Sequence, residues 1–335
     1  MKKYFKYLFK TNILQTVILT VLPTMLFVAI LAGTGMYSSD YVQFGLQIPY
    51  IITVGVVLAF IVAALVFIFR FAKFKNKQQV DLYYSLPLNK EKIIKTNIYF
   101  GLIQIAIAVT VMFFFGILVH SIKTDFQYAW GYLILVYLVT LLFVGIMYSI
   151  SLFILFRANS VIDGIIFIIG WFLVLVLLGQ LLSEITNDIT YSNAFVPLYA
   201  MDRMITNFYY KAAEQSIEYK MNTGIIINLV WVFMLTALSL TYGILNLQNE
   251  KTELIGTESN SLFGYKTLIP LGTFLITSNM INDFQNSENI IYLIIIVIFA
   301  FILYAIYRKG FKIKKYDILA LLIAIALGSI VGVIV

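Results

Sequence analysis

Long apolar stretches separated by short polar ones dominate this chain. Crossing the hydrocarbon core of a bilayer takes roughly 17–25 helical residues, and runs of that length occur at about 12–33, 49–70, 97–119, 129–155, 161–182, 223–246, 290–307 and 317–335. A weaker run lies at about 267–282. Because backbone groups that face lipid must be satisfied within their own segment, every run is expected to be a helix. The pattern predicts an all-α polytopic bundle of about nine transmembrane helices.

The charges test this topology. With the N-terminus in the cytoplasm and a crossing at all nine runs, 19 of the 23 Lys and Arg residues fall inside, and those outside are Lys123, Arg203, Lys211 and Lys220. This distribution fits the positive-inside rule. Without a crossing at 267–282, the basic cluster at 308–315 would lie outside, so we predict that this run crosses or forms a deep hairpin. The chain stops at Val335 within its last apolar run, which leaves open a fragment of a longer protein.

Composition supports a membrane location and narrows the chemistry. The chain is 61% hydrophobic and 12% charged, far from the balance of a soluble domain. Frequent Ile, Lys, Asn, Tyr and Phe are typical of a low-GC bacterial source, so the expected location is the bacterial plasma membrane. With no Cys and one His, the chain lacks the residues for disulfides, thiolate catalysis or a His-rich metal site.

The pattern of the first eleven residues predicts an amphipathic helix. Its lysines and its apolar side chains fall on different faces, with Lys2, Lys6 and Lys10 on one and Phe5, Leu8 and Phe9 on the other. A helix with these two faces can lie along the inner headgroups and contact membrane lipids. In the alternative interpretation, these lysines only flank the first span on its cytoplasmic side, as the positive-inside rule predicts.

The longest basic interruption, at 71–97, carries aromatic and apolar residues of its own. Lys77 to Ser85 can form a short helix that ends at Pro87, because a proline disfavours helix at the residue before it. Asn89 fits the N-cap of a helix that continues into the third run, where Glu91 complements the helix dipole. A docking element for a cytoplasmic partner and an amphipathic linker lying on the membrane both explain this pattern.

The stretch VDLYYSLPLNKEKIIKTNIYFG resembles part of the permease subunits of ABC-2-type transporters. In many of these a sequence similar to D-x-Y-x-S-L-P-[IL]-x-[KR] occupies the first long cytoplasmic loop, and it is matched here by Asp81, Tyr83, Ser85, Leu86, Pro87, Leu88 and Lys90. Residues 249–256, NEKTELIG, are similar to an [RK]-x-x-E-x-x-G stretch of the same group. The long tail after residue 260 looks closer to the longer permeases of Gram-positive antibiotic-sensing or detoxifying systems.

The resemblance implies a half-transporter that pairs with a second permease copy or a paralogue. The loop helix would be a coupling helix seated in a groove of a separate ATPase subunit, with contacts from Val80, Asp81, Tyr83, Tyr84, Ser85, Leu86 and Pro87. The implied divisions are an interfacial helix at 1–11, a six-span permease core at 12–246, a cytoplasmic linker at 247–266 and a transmembrane extension at 267–335. The expected cargo is a hydrophobic or amphipathic compound that moves outward.

Several absences in the sequence favour an energy source outside this chain. It contains no G-x-x-x-x-G-K-[ST] loop for ATP, and the central parts of the spans contain no Asp, Glu, Lys or Arg of the kind that ion-coupled carriers use. We therefore expect no enzymatic activity, no cofactor and no nucleic-acid partner. Asp163 and Asp317 are expected to cap helix starts, as are Asn159 and Ser160 after Arg157, near the place of a second coupling contact.

The largest outer segment, 184–222, mixes aromatic and charged residues. It is interpreted either as a passive cap over the bundle or as helices at the outer leaflet that gate a path or contact an amphipathic substrate. Two other functions stay open: a membrane immunity or sensor-scaffold protein, and an ion-coupled carrier.

Overall fold

The computed structural model describes residues 2–33, 47–77, 79–80, 89–123, 130–186, 195–197, 199, 201, 204–205, 223–246, 255–282, 289–311 and 313–334. All regular elements in these ranges are helical, with a 3₁₀ turn at Ala72–Lys75. The helices are α1 (Lys2–Thr11), α2 (Ile13–Gly33), α3 (Gln47–Phe71), α4 (Lys90–Lys123), α5 (Trp130–Phe156), α6 (Val161–Thr186), α7 (Thr223–Asn246), α8 (Tyr265–Asn282), α9 (Asn289–Tyr307) and α10 (Lys315–Ile334).

Each apolar run in the sequence corresponds to one of these helices. Six of them, α2 to α6 and α10, contain stretches long and apolar enough to cross a membrane, so the predicted all-α polytopic architecture is confirmed in this coarser form. The apolar parts described in α7 and α9 are shorter, at Leu229–Thr241 and Leu293–Tyr307. Helix α8 has 18 residues and is less apolar. A total of nine crossings therefore stays a prediction.

The chain separates into two compact units. The first comprises residues 1–73, 82–150 and 197–222, and the second comprises residues 74–81, 151–196 and 223–335. The segments expected from the resemblance divide the chain by function and not by contacts. They are not tested by these two units and stay a prediction.

Close helix contacts organise the first unit around α4. The ring of Phe27 in α2 lies against Gly116 of α4, where a Cβ atom would stand 2.1 Å from the ring, and it also borders Gly55 of α3. The Tyr148 side chain of α5 lies equally close to Gly101. Only a glycine leaves room for these rings, and at Gly116 it accompanies a close approach of the α2 and α4 backbones.

A chain of buried polar groups links α2, α3 and α4. Arg70, 1% exposed, donates from Nε to Gln104 Oε1 at 2.7 Å, and Gln104 Nε2 donates to Thr16 Oγ1 at 2.5 Å. The Arg70 guanidinium also stacks over Phe100, 4.1 Å from the ring centre. Buried polar groups are tolerated when they are bonded to each other, so this network fixes the relative register of the three helices.

Helix α1 forms as predicted and has two faces. Tyr4 and Leu8 are buried, while its described lysines, Lys3, Lys6 and Lys10, are exposed. The apolar face lies on α4, where the Phe5 and Phe9 rings contact Phe100 at centroid distances of 5.4 and 6.3 Å. Part of the surface expected to meet lipid is thus covered by protein, and a position along the headgroups stays a prediction.

In the second unit α8 is the central helix. It packs against α6, α9 and α10, and between Tyr265 and Met280 only Lys266 is exposed. At Gly328 of α10 a Cβ atom would lie 2.7 Å from the Phe274 carbonyl oxygen, so these two helices touch backbone to backbone. The polar residues that weakened the apolar signal of α8 face protein, as expected for a helix enclosed by others.

Candidate functional site

The predicted coupling helix lies mostly outside the described residues. This applies to Asp81, Tyr83, Tyr84, Ser85, Leu86 and Pro87, so their role stays a prediction. Val80 is described and is 1% exposed, with its N–H donating to the Asn76 carbonyl at 3.0 Å. Its side chain is thus buried within this chain, and its contact with an ATPase stays a prediction.

The entry to this loop is firmly held. Phe74 in the 3₁₀ turn is fully buried, and Lys75 is 7% exposed. Lys75 Nζ donates to the Phe156 carbonyl at 3.4 Å, at the C-terminus of α5, and it lies 5.4 Å from the Phe156 ring centre. A cation at this position stabilises the negative end of the helix dipole.

The exit from the loop is a capped helix start, as the sequence predicts. The Glu91 N–H donates to Asn89 Oδ1 at 3.2 Å, and the Ile93 N–H donates to the Asn89 carbonyl at 3.1 Å. Glu91 in this first turn pairs with Lys95 one turn later. Asn89 is thus the N-cap of α4.

Three connections meet at one end of the second unit. They are the turn at 157–160, the connection at 255–264 and the turn at 308–314, and we call them the loop cluster. The positive-inside pattern predicts that all three lie on the cytoplasmic side. The hydrogen bonds described below show that they lie at the same end of the helices.

Asn159 joins the first connection to the second. Its N–H donates to Ser259 Oγ at 2.9 Å, and its amide Nδ2 donates to the Glu258 carbonyl at 2.8 Å. Its carbonyl accepts the Gly256 N–H at 2.9 Å. Gly256 has a φ of 83°, a conformation that glycine adopts without steric cost. The glycine that ends the stretch at 249–256 therefore marks the point where the chain turns onto Asn159.

Asp163 is the buried centre of this contact, with 4% of its surface exposed. Its N–H donates to Ser160 Oγ at 3.1 Å, which confirms Ser160 as a cap of α6. Its carboxylate accepts hydrogen bonds from Ser259 Oγ at 2.6 Å and from the Tyr265 hydroxyl at 2.9 Å. Burial raises the pKa of Tyr265, and the charge of Asp163 raises it further, so Tyr265 stays a protonated donor at alkaline pH.

Arg308 joins the third connection to the second. It makes a two-pronged contact with Asp317, from Nε at 3.0 Å and from Nη2 at 2.8 Å, and its Nη1 lies 3.2 Å from Glu258 Oε2. The side chains of Arg308 and Asp317 are 8% and 10% exposed. The hydrogen bond to Asp317 raises the pKa of Arg308 above its ordinary value. Asp317 also accepts the Lys314 N–H at 3.2 Å, so it caps α10 as predicted.

The tyrosines of α8 and α9 complete the cluster. The Tyr265 ring lies 4.8 Å from the Phe167 ring and 5.4 Å from the Tyr307 ring. The Tyr307 hydroxyl donates to Asn260 Oδ1 at 2.6 Å. Aromatic contacts and polar bonds therefore hold the same connections together.

The outer surface of the loop cluster combines large apolar and basic side chains. Phe311 is 95% exposed, Tyr316 is 81% exposed and Leu262 is 77% exposed. Exposed lysines stand beside them, at Lys309, Lys314 and Lys315. Aromatic rings with neighbouring lysines are typical of the headgroup level of a membrane protein.

Sequence reasoning found the caps at Asn89, Ser160 and Asp317 but missed the partners in the loop cluster. Asn159 and Asp163 were also expected to cap helix starts, but they bond the connection at 255–264 instead. Ser259, Asn260, Tyr265, Tyr307 and Arg308 were not singled out, although each stands where a polar connection meets a helix. The only indication in the sequence was that each of these residues lies next to the end of a helix. As an arrangement the loop cluster is a joint: its carboxylates are occupied by hydrogen-bond donors, and among the described residues no three His, Asp or Glu side chains are grouped to hold a metal ion.

Membrane-capable helices with capped and tied ends are the architecture of a multi-pass membrane protein. No protein-family model, no curated protein and no solved structure matches the chain.

Proposed function

We propose that this chain is a permease subunit of an ABC-2-type transporter in the bacterial plasma membrane. A separate cytoplasmic subunit hydrolyses the ATP, a second permease copy or paralogue completes the path, and the cargo is a hydrophobic or amphipathic compound that moves outward. The proposal rests on the match at residues 81–90 together with one structural observation, the way in which the loop that carries this match is held.

That observation is an anchored loop joined to a long helix. On the entry side Phe74, Lys75 and Val80 are buried, and on the exit side the capped start of α4 follows directly. Helix α4 has 34 residues and is about 51 Å long, against about 30 Å for the hydrocarbon core of a bilayer. A partner that pushes on the loop would therefore move a rigid helix that begins outside the hydrocarbon and ends across it.

We further propose that α8 crosses the membrane beside α6, which gives nine crossings with a cytoplasmic N-terminus. Tyr265 bonds to Asp163 near the starts of the two helices, and Asn279 Nδ2 donates to the Leu177 carbonyl at 3.1 Å. The two contact positions are 14 residues apart on α6 and also 14 residues apart on α8. The two helices therefore run parallel over about 21 Å. The shared end of the connections in the loop cluster supports the same topology.

The test is the binding of the ATPase. We expect the gene for this ATPase to lie beside the gene for this chain and to be recognisable by a Walker loop and an LSGGQ-like signature. We expect the double variant Tyr83→Glu/Leu86→Glu to lose this ATPase on co-purification, because two buried carboxylates at the contact would be unpaired. The matched control is Leu262→Glu/Tyr316→Glu, which makes the same changes at exposed positions in the loop cluster and in the adjoining first turn of α10 and should retain the ATPase.

Both variants must elute as single species in detergent, so that misfolding does not imitate lost binding. If the Tyr83→Glu/Leu86→Glu protein still carries the ATPase, the loop is not the docking site. If no such ATPase is encoded nearby, or if none binds the unmodified chain, the transporter assignment itself fails.

A further inference from the structure

We propose that a pocket between α6 and α8, at the end remote from the loop cluster, binds the ammonium head of a cationic amphiphile. The pocket has a volume of about 410 Å³, which lies within the range of small-ligand sites. It is large enough for a charged head and a short length of alkyl chain. As a cargo site it would rest on the proposed function, but as a binding site it stands on the geometry below.

The walls of the pocket combine polar and apolar side chains, including the apolar Leu177 on α6. Gln180, Ser183 and Glu184 line it from α6, and Asn279 lines it from α8 beside the apolar Ile276 and Met280. These positions recur at intervals of three or four residues, so each helix presents one face to the pocket. The lining thus offers several hydrogen-bond acceptors and one carboxylate next to hydrocarbon.

One acceptor in this wall lacks a donor. The Asn279 side chain uses its Nδ2 to bond the Leu177 carbonyl, while its Oδ1 is buried and has no hydrogen-bond partner among the described residues. A buried amide oxygen without a donor is energetically unfavourable. A ligand rich in N–H groups supplies the donor that Asn279 Oδ1 lacks, and the Glu184 carboxylate adds an electrostatic attraction for an ammonium group.

The depth of the pocket favours an amphiphile over a fully polar ligand. Glu184 comes 21 residues after Asp163, about 32 Å further along α6. That rise is close to the thickness of the hydrocarbon core, so Glu184 stands near the membrane surface opposite the loop cluster. A ligand there can place its charged head beside Glu184 and its alkyl chain toward Ile276 and Met280.

The experiment uses the purified full chain in phosphatidylcholine nanodiscs and two photoreactive probes, octylamine and octanol, each with a diazirine on the alkyl chain. Labelled positions are mapped by peptide mass spectrometry. We expect octylamine, but not octanol, to label residues 177–184 and 276–280. Both probes should label the lipid-facing Leu322 of α10, 61% exposed, to similar extents. That position is an internal control for partitioning and folding.

Glu184→Gln keeps the size of the side chain and removes its charge. We expect it to weaken octylamine labelling of the pocket about tenfold to a hundredfold, as loss of a charge-assisted hydrogen bond implies. Octanol labelling should not change. The control Glu91→Gln removes a carboxylate on α4, in the other unit, and should leave both probes unaffected.

Nanodiscs with phosphatidylethanolamine distinguish two sources of the ammonium head. If this lipid occupies the pocket, pocket labelling by octylamine falls relative to phosphatidylcholine discs; if free amphiphiles are the ligands, labelling persists. The inference is overturned if octylamine and octanol label the pocket equally, or if Glu184→Gln labels like the unmodified chain. Because no ATPase is present, either result leaves the ATPase-docking test untouched.

Discussion

Asp317→Asn tests whether the loop cluster holds the second unit together. The change keeps the side-chain shape but removes the charge that Arg308 meets at 2.8 and 3.0 Å. Breaking a buried pair from one side costs about 3–5 kcal/mol, because the remaining charge stays buried. Arg308 retains Glu258, whose side chain is 36% exposed and contributes about 0–1 kcal/mol. We therefore expect a loss of about 2–5 kcal/mol in the free energy of unfolding.

A change of pH cannot restore the stability that Asp317→Asn removes. The hydrogen bond to Asp317 raises the pKa of Arg308 above its ordinary value, and even without that bond an arginine keeps its charge at any pH used for proteins. The cost of Asp317→Asn should therefore be the same at neutral and at mildly alkaline pH.

The assay is reversible unfolding in mixed detergent micelles, followed by circular dichroism, as a double-mutant cycle with Arg308→Met. In the Arg308→Met background, Asp317→Asn should cost at least about 2 kcal/mol less than in the unmodified chain, because no buried cation is left behind. Glu258→Gln serves as the exposed control and should cost no more than about 1 kcal/mol. An equal cost of Asp317→Asn in both backgrounds would refute the reasoning.

Two further predictions concern packing and the buried contact of α6. Gly328→Ala should destabilise the protein, because its Cβ would lie 2.7 Å from the Phe274 carbonyl oxygen. Gly272→Ala, whose Cβ would have no atom within 4 Å, should instead gain up to about 1 kcal/mol from helix propensity. Equal shifts in melting temperature for the two variants would contradict this packing. Ser259→Ala removes a 2.6 Å donor to the Asp163 carboxylate and should cost about 1–3 kcal/mol in the same unfolding assay, and no measurable cost would mean that Tyr265 alone satisfies that group.

The helices were predictable because their cause is local. A run of apolar residues long enough to span needs no knowledge of its neighbours, and the caps at Asn89 and Ser160 depend on residues within three positions. Helix α8 was the weakest prediction for the converse reason. Its polar side chains are acceptable only because α6, α9 and α10 surround it, and that enclosure is not visible in a single segment.

The partners in the loop cluster could not be predicted in this way. Asp163 and Tyr265 are 102 positions apart, and no periodicity links them. The charge pattern did predict that their connections share one side of the membrane, which is a coarser statement than contact. The amphipathic pattern around Val80 suggested a docking surface but did not predict that this side chain is only 1% exposed, and its contact with a partner stays a prediction.

The enclosure of α8 also has a consequence for biosynthesis. Ribosomes deliver this segment before α9 and α10, so during translation two of its three covering helices do not yet exist. Until they arrive, Thr273, Thr277 and Ser278, all at most 5% exposed in the finished protein, lack that shelter. With α8 crossing the membrane as proposed, insertion of the C-terminal third is completed late, when α10 closes over a helix that lipid alone would hold poorly.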